Sequence, residues 1–154
     1  GRVYFAMSLD EKQQAALDKL KTTAQEKYPD HDFIDDRCLK RYLRARQWHH
    51  DNAWTMLDGT IQWRENYKPH DITLDDIEAE AATGKMYIAP YFDKEDRPVV
   101  VMRPGLDTTK DGVAKVKYLV WIVENTIKKL EPEKNGVEKI TLLVDFTGVG
   151  MGLA

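Results

Sequence analysis

The 154-residue sequence has a single cysteine, Cys38, and only four histidines, so few of its side chains could form a disulfide bond or bind a transition metal. One cysteine excludes a disulfide scaffold and a cysteine-based zinc site, and it indicates a reducing compartment. No apolar run approaches the roughly 18 residues that a membrane-spanning helix needs. The formal net charge is only −3, which argues against broad nucleic-acid binding. With 42% hydrophobic and 32% charged residues, the composition is that of an ordinary globular protein.

Four helices are predicted in the first half of the chain. Each begins at a residue of the helix-capping type, and these residues are Ser8, Asp35, Asp51 and Thr73. Apolar residues at helical spacing predict the buried faces, which include Leu17, Leu20, Ala24, Leu39, Leu43, Leu57 and Ile61. Residues 1–6 are expected to be an expression leader, with Met7 as the native start. We therefore predict a helical region over residues 7–83.

After Gly84 the pattern becomes one of strands. Residues 85–92 alternate with period two and residues 98–103 are rich in β-branched side chains, so the two segments are predicted to pair. A long helix is predicted over residues 109–130, with a buried stripe of Val116, Leu119, Val120, Val123, Ile127 and Leu130. Residues 139–145 predict a strand that is buried on both faces. Because a helix separates the second and third strands, they should be parallel with a right-handed crossover.

The glycines after the third strand are the strongest hint of a cofactor. Gly148, Gly150 and Gly152 have the spacing G-x-G-x-G rather than G-x-G-x-x-G, and no helix follows to direct its N-terminus at a pyrophosphate. We therefore expect no cofactor, and a dinucleotide enzyme stays only as a third interpretation. The sequence has no phosphate-binding G-x-x-x-x-G-K-[ST] motif, no serine nucleophile elbow and no histidine pair at metal-ligand spacing. Neither an enzyme nor a metal site is expected.

Basic residues are concentrated in the second predicted helix. Within ten positions the chain has Arg37, Lys40, Arg41, Arg44 and Arg46. The pattern is typical of a solvated helix face that pairs with neighbouring acids. A role for one or two of these arginines at a phosphate or at an anionic membrane surface stays open.

The same segment carries a distinctive motif. Asp35–Trp48 contains L-x-R-[FY]-L-R-A-R-x-[FW], and Ala53–Arg64 follows with A-x-x-[ML]-L and W-R. These patterns resemble the helical N-terminal part of CRAL-TRIO lipid-binding proteins. The segments 84–105, 118–125 and 143–148 resemble that family's first strands, helix and following strand. The resemblance covers Asp35 to Gly148, and it is strongest to the branch that transfers phosphatidylinositol and phosphatidylcholine.

The resemblance implies an α/β fold class (α+β overall). A helical bundle over residues 7–83 would precede the first half of a CRAL-TRIO mixed sheet with a βαβ unit, over residues 84–154. It implies a non-enzymatic, cytoplasmic protein that holds a phospholipid or other hydrophobic ligand in a cavity floored by the sheet. Such a protein would contact a membrane surface transiently, transfer or present the lipid, and bind no nucleic acid.

The residues expected to contact lipid are Arg46, Tyr87, Tyr91, Val99, Val101, Val144 and Phe146. Tyr91 aligns with a family tyrosine associated with phosphatidylcholine, and Arg46 with an arginine that faces phosphoinositide headgroups in some members. Simpler roles are sheet packing for Tyr91 and a helix–sheet salt bridge for Arg46. Which face of the strands looks into the cavity is left open by the sequence. Gln47 stands where phosphatidylinositol-handling members can carry a lysine, which weakens the phosphoinositide assignment.

The family's domain continues beyond Gly148, so the chain is interpreted as a truncated, N-terminal portion. The long helix and the third strand would then lack part of their packing, and exposed apolar faces favour self-association. We therefore expect a homodimer, with exchange of an element as one form of it, or a second fragment that completes the sheet. The alternative function is a truncated, non-catalytic interaction or regulatory module that no longer transfers lipid.

Overall fold

The computed structural model describes residues 8–150. Its helices are α1 Glu11–Lys27, α2 Asp36–Ala45, α3 His50–Tyr67, α4 Leu74–Ala81, α5 Gly112–Ile127 and α6 Pro132–Asn135. Its strands are β1 Met86–Phe92, β2 Pro98–Met102 and β3 Thr141–Val144, and 3₁₀ turns cover Pro69–Asp71 and Pro104–Leu106. The expected leader, residues 1–6, and the last glycine of the tail lie outside the described residues. The chain divides into two compact units, one that ends at Lys68 and one that begins at Pro69.

The first unit is built by α1, α2 and α3 around one apolar core. Each helix contributes three buried side chains at helical spacing, and these are Leu17, Leu20, Ala24, Cys38, Leu39, Leu43, Ala53, Leu57 and Ile61. Most of them were predicted, because residues three and four apart share a helix face. Burial also raises the pKa of the Cys38 thiol, so this cysteine packs as a small apolar side chain.

The helix starts depend on local side-chain caps. The Asp35 carboxylate accepts a hydrogen bond from a backbone N–H of the first turn of α2, and Thr73 begins a capping box at α4, both as predicted. The predicted start at Ser8 is wrong, because Asp10 caps α1 and forms the capping box with Gln13. Aspartate followed three residues later by glutamine supplies the same two reciprocal hydrogen bonds, two residues further along the chain.

Helix α4 belongs to the second unit. Its Ile77 shares a core with Tyr118 and Ile122 of α5. The sequence prediction placed the boundary of the helical region at residue 83, whereas the compact units divide after residue 68. The division falls earlier because the apolar face of α4 is buried against α5.

Within the described residues the strands form one three-stranded sheet in the order β1-β2-β3. Strands β1 and β2 are antiparallel, with Met86 opposite Met102. Strands β2 and β3 are parallel, with Met102 opposite Val144. The α/β fold class, the strand pair and the parallel βαβ arrangement are therefore confirmed, and the handedness of the crossover stays a prediction.

The predicted buried stripe of α5 is wrong. Tyr118, Ile122 and Thr126 are buried, while Val116 and Leu119 are 52% and 42% exposed, and Ile127 is also exposed. The helix packs on the sheet through a line that includes a tyrosine and a threonine, and the hydroxyl group of each has a hydrogen-bond acceptor. The Tyr118 hydroxyl donates to the carbonyl oxygen of Met86, and the Thr126 hydroxyl donates to the carbonyl oxygen of Ile122 at 2.6 Å. A prediction based only on apolar residues selects the neighbouring stripe of α5, which includes Val116 and Leu119, instead.

Strand β3 is exposed rather than buried on both faces. Leu142, Leu143 and Val144 are 57%, 51% and 41% exposed, although the strand is apolar throughout. The physical reason is its place at the edge of the sheet, where β2 is its one neighbouring strand among the described residues.

Gly105 allows the turn after β2 to approach the loop after β3. A Cβ atom at this position would lie 2.1 Å from the carbonyl oxygen of Thr147, far inside contact distance. Because parallel strands end at the same edge of a sheet, the missing side chain lets the two loops pack together.

Asp93 ties the turn between β1 and β2 to strand β3. One carboxylate oxygen accepts from the Thr141 hydroxyl at 2.7 Å and from the Arg97 Nε at 2.8 Å. The other accepts backbone N–H groups of Glu95 and Arg97. The hydrogen bond from Thr141, with those from the Arg97 side chain and backbone, holds the pKa of Asp93 well below its ordinary 3.8.

This depressed pKa predicts a pH dependence of stability. The unfolded chain takes up the proton at a higher pH than the folded chain, so the contribution of Asp93 is present above about pH 4 and is lost as the pH falls further. We expect the difference in melting temperature between the unaltered chain and Asp93→Asn to shrink between pH 6 and pH 2.5. Thermal unfolding followed by circular dichroism measures it, with the exposed turn variant Asp96→Asn as the matched control. A constant difference for Asp93→Asn across this range would contradict the prediction.

Candidate functional site

The two faces of the sheet have different surroundings. Directly opposed residues project to the same side, so Met86, Met102 and Val144 share one face, and Tyr87 and Val101 share the other. The first, which we call the helix face, packs against α5. The second is called the far face.

On the helix face a cleft of about 270 Å³ lies between α5 and the strands. Its apolar lining comes from every strand of the sheet, from the turn after β2 and from α5, and consists of Met86, Met102, Pro104, Val116, Leu119 and Val144. We call it the apolar cleft. Val116, Leu119 and Val144 are each more than two-fifths exposed, so the cleft is accessible from outside. A concave surface of this lining suits a hydrocarbon group.

The apolar surface continues beyond the cleft. Exposed apolar side chains follow α5 and β3, and they include Val113, Val116, Leu119, Ile127, Leu142, Leu143, Val144 and Phe146. Those of these side chains that lie next to the cleft can contact a ligand that is longer than the cleft itself.

Charged side chains line one end of the apolar cleft. The Lys85 ammonium donates to Glu80, to Asp107 Oδ1 at 2.8 Å and to the Thr109 hydroxyl at 2.9 Å. The second carboxylate oxygen of Asp107 accepts from Lys115 at 2.7 Å. We call these five residues the ion cluster. The side chains of Glu80 and Lys85 are 3% and 7% exposed, so this pair is held almost entirely out of water.

The ion cluster favours the charged forms of Lys85 and Asp107. Burial lowers the pKa of Lys85, but hydrogen bonds to Asp107 and Glu80 outweigh that effect, and the pKa is raised overall. Hydrogen bonds from Lys115 and Lys85 hold the pKa of Asp107 well below its usual range. Two ammonium groups and two carboxylates therefore face one another with no net charge.

The structure places Tyr87, Val99 and Val101 on the far face. Val99 and Val101 are buried together with Ala89, and Tyr87 packs partly buried beside them. The Tyr87 hydroxyl accepts from Arg103 at 3.4 Å, and the Arg103 guanidinium lies 5.4 Å from the centre of the Tyr87 ring. These three residues form a packed cluster rather than part of the apolar cleft.

The other residues expected to contact lipid are dispersed. Val144 lines the apolar cleft, Phe146 lies just beyond β3 and is 69% exposed, and Tyr91 is exposed near the end of β1. Arg46 belongs to the first compact unit, where it caps α2 and donates to the carbonyl oxygen of Ala45 at 2.9 Å. The structure therefore does not bring the seven residues into one site.

Most of the lining of the apolar cleft was missed as a site from the sequence. Val116 and Leu119 were predicted to be buried, and Met102 was one of two alternatives for the inward face. The sequence carried no signal for this choice, because only the packing of α5 against the even-numbered residues of β2 shows which face of the sheet the helix covers. Lys85 and Asp107 carry no sequence signal of their proximity, since they are 22 residues apart.

Two observations concern other kinds of site. In residues 8–150 no three histidine, cysteine, aspartate or glutamate side chains are grouped so that they could hold a metal ion. Over the same residues no helix is both long enough and apolar enough to cross a membrane.

Family comparisons match both parts of the chain. The model of the CRAL/TRIO N-terminal domain matches residues 14–59, and the model of the CRAL/TRIO domain matches residues 82–154. The match to the second model includes every strand of the sheet, α5 and the residues of the apolar cleft.

Similar curated proteins include the CRAL-TRIO domain-containing protein C23B6.04c of Schizosaccharomyces pombe, 36% identical over 114 residues. The phosphatidylinositol transfer protein PDR17 of Saccharomyces cerevisiae is 37% identical over 123 residues. The phosphatidylinositol transfer protein CSR1 of Eremothecium gossypii is 29% identical over 129 residues. These alignments cover 74%, 74% and 75% of this chain but only 11%, 33% and 29% of the respective relatives.

The chain thus spans a third or less of the length of these relatives, and its two halves match consecutive parts of one domain family. The helical unit, the βαβ sheet and the sequence motifs agree with that match. The chain belongs to the CRAL/TRIO family.

Proposed function

We propose that this chain forms part of a lipid-binding and lipid-transfer site, in which the apolar cleft holds the hydrocarbon part of a phospholipid. The observation that carries the proposal is the accessible cleft of about 270 Å³ with apolar lining from α5 and every strand. Its volume lies just below the range of roughly 300–1,000 Å³ typical of ligand pockets, so it suits one segment of a lipid rather than a whole molecule. The names of the relatives PDR17 and CSR1 support phosphatidylinositol transfer as the activity of the whole protein.

The proposed lipid contacts lie on the helix face of the sheet, where the apolar cleft is. Val144 is the predicted contact that lines the apolar cleft, and Met86, Met102, Val116 and Leu119 join it. Contacts from Arg46, Tyr91 and Phe146 stay predictions, as does a role for the packed far-face residues. In this proposal the protein is cytoplasmic and meets membrane surfaces transiently to collect and release lipid.

Lipid uptake from vesicles tests the proposal. Phosphatidylcholine vesicles that contain self-quenched nitrobenzoxadiazole-labelled phosphatidylcholine are mixed with the purified chain, and labelled phosphatidylinositol is used in a parallel series. Fluorescence should rise as lipid leaves the vesicles, and it should saturate near about one lipid per chain. Heat-denatured chain is the control for adsorption. No rise above this control with either lipid would contradict the proposal and would favour the interaction-module alternative.

Self-association stays a separate prediction. Exposed Leu142, Leu143 and Phe146 give the chain an apolar edge, and apolar area of this kind stabilises an interface by about 25 cal/mol per Å² buried. Light scattering that finds a monomer with a well-folded core would contradict it.

A further inference from the structure

The charged end of the apolar cleft bears on which ligands the cleft accepts. The charged side chains that line it are Lys85, Asp107 and Lys115. Asp107 uses one carboxylate oxygen for each lysine, at 2.8 and 2.7 Å. The Lys85 ammonium has three N–H groups, and Glu80, Asp107 and Thr109 accept one each.

This arrangement leaves no buried ammonium available to a ligand. An anionic group that bound the Lys85 ammonium would have to displace Asp107 or Glu80 from it, and a displaced Glu80 would stay almost fully buried, because its side chain is 3% exposed. Leaving a charge buried without its partner is strongly unfavourable. An uncharged hydrocarbon segment requires no such exchange, and it contacts the apolar lining directly.

We propose that Asp107 determines the ligand specificity of the apolar cleft by pairing with both lysines that line it, in a cluster that Glu80 makes neutral overall, so that the cleft accepts the uncharged part of a lipid and rejects anionic groups. This inference rests on the proposed lipid site and adds the class of group that the cleft takes. An anionic headgroup is accordingly bound away from the Lys85 end.

A pair of probes that differ in one end group, a carboxylate or its uncharged methyl ester, tests the inference. One probe is 11-(dansylamino)undecanoic acid and the other is its methyl ester, and dansyl fluorescence reports binding to the full chain at pH 7.5. The unaltered chain should bind the ester at least tenfold more tightly than the acid. Tighter binding of the acid than of the ester would overturn the inference, and so would equal binding.

Variants of the ion cluster make the test specific to Asp107. Asp107→Asn keeps a polar side chain but leaves two ammonium groups opposite one carboxylate, so affinity for the acid should rise about tenfold while that for the ester changes less than twofold. Lys115→Gln removes one ammonium group instead, and it should weaken binding of the acid further. Lys117→Gln is the matched control, because Lys117 lies on α5 and pairs with Asp76 outside the cleft. No gain in affinity for the acid in folded Asp107→Asn would overturn the role of Asp107.

The two probes also separate this inference from the proposed function. If neither probe binds the folded chain, the apolar cleft is not a ligand site and the proposed function fails. If the ester binds and Asp107→Asn fails to change the preference, the lipid site stands and the specificity role of Asp107 is wrong. Circular dichroism of each variant establishes that the compared proteins are folded.

Discussion

Replacing Val144 with aspartate is expected to weaken binding of a fluorescent lipid by at least tenfold while the chain stays folded. Val144 lines the apolar cleft on the helix face, opposite Met102. A carboxylate there must lose its hydration when hydrocarbon occupies the cleft, and such desolvation without a partner is costly. Because Val144 is 41% exposed on an edge strand, the substitution removes little core packing.

The matched control for Val144→Asp is Val113→Asp. Val113 is the same residue type, lies at the start of α5 and is 75% exposed, and it does not line the apolar cleft. Titration of each variant with the dansyl ester gives the two affinities. Equal weakening in the two variants would indicate a general loss of apolar surface, and unchanged affinity in Val144→Asp would exclude this cleft as the binding site.

Replacing Lys85 with methionine should lower the free energy of unfolding by about 3–5 kcal/mol, the range found when one partner of a buried ion pair is removed. The substitution leaves Glu80, which is 3% exposed, with the Thr109 hydroxyl at 3.1 Å as its remaining donor in the ion cluster. Adding Glu80→Leu should restore much of the loss, because the double variant no longer buries an unpaired carboxylate. Asp107 keeps Lys115 as its partner in both variants.

Urea unfolding of the single and double variants measures this coupling, and hydrogen exchange of the β1 and β2 amides localises the effect to the second compact unit. Lys117→Met is the control: Lys117 and Asp76 are each 37% exposed, so breaking their pair should change stability by less than about 1 kcal/mol. Additive losses in Lys85→Met and Glu80→Leu would show that the buried pair is not coupled.

The local structure of this protein could be predicted from the sequence because it depends on residues that are neighbours in the chain. The Asp35 cap, the Thr73 capping box and the helical spacing of the buried positions in α1–α3 all act within one or two helical turns. The strand pair and the parallel βαβ unit were also readable, because short connections and a crossover helix restrict how such strands can pair.

The candidate site could be predicted only in part from the sequence. Of the seven residues expected to contact lipid, Val144 alone lies in the apolar cleft. Side chains alternate along a strand, so Val99 and Val101 belong to the opposite face from Met102, and only packing against α5 shows which face is covered. The sequence pattern had left both faces open.

What the sequence by itself determined was the order of the main elements, the starts of α2 and α4, the pairing of the strands and, through its motifs, the family. Tertiary structure decided which stripe of α5 is buried. Tyr118 and Thr126 can be buried because their hydroxyl groups donate to backbone carbonyl oxygens, whereas a prediction from apolar residues alone selects a different stripe. It also decided the exposure of β3, which depends on the strand's place at the sheet edge rather than on its composition. The ion cluster shows the same distinction, since only folding brings Lys85 and Asp107 together and turns separate charges into a neutral end of the apolar cleft.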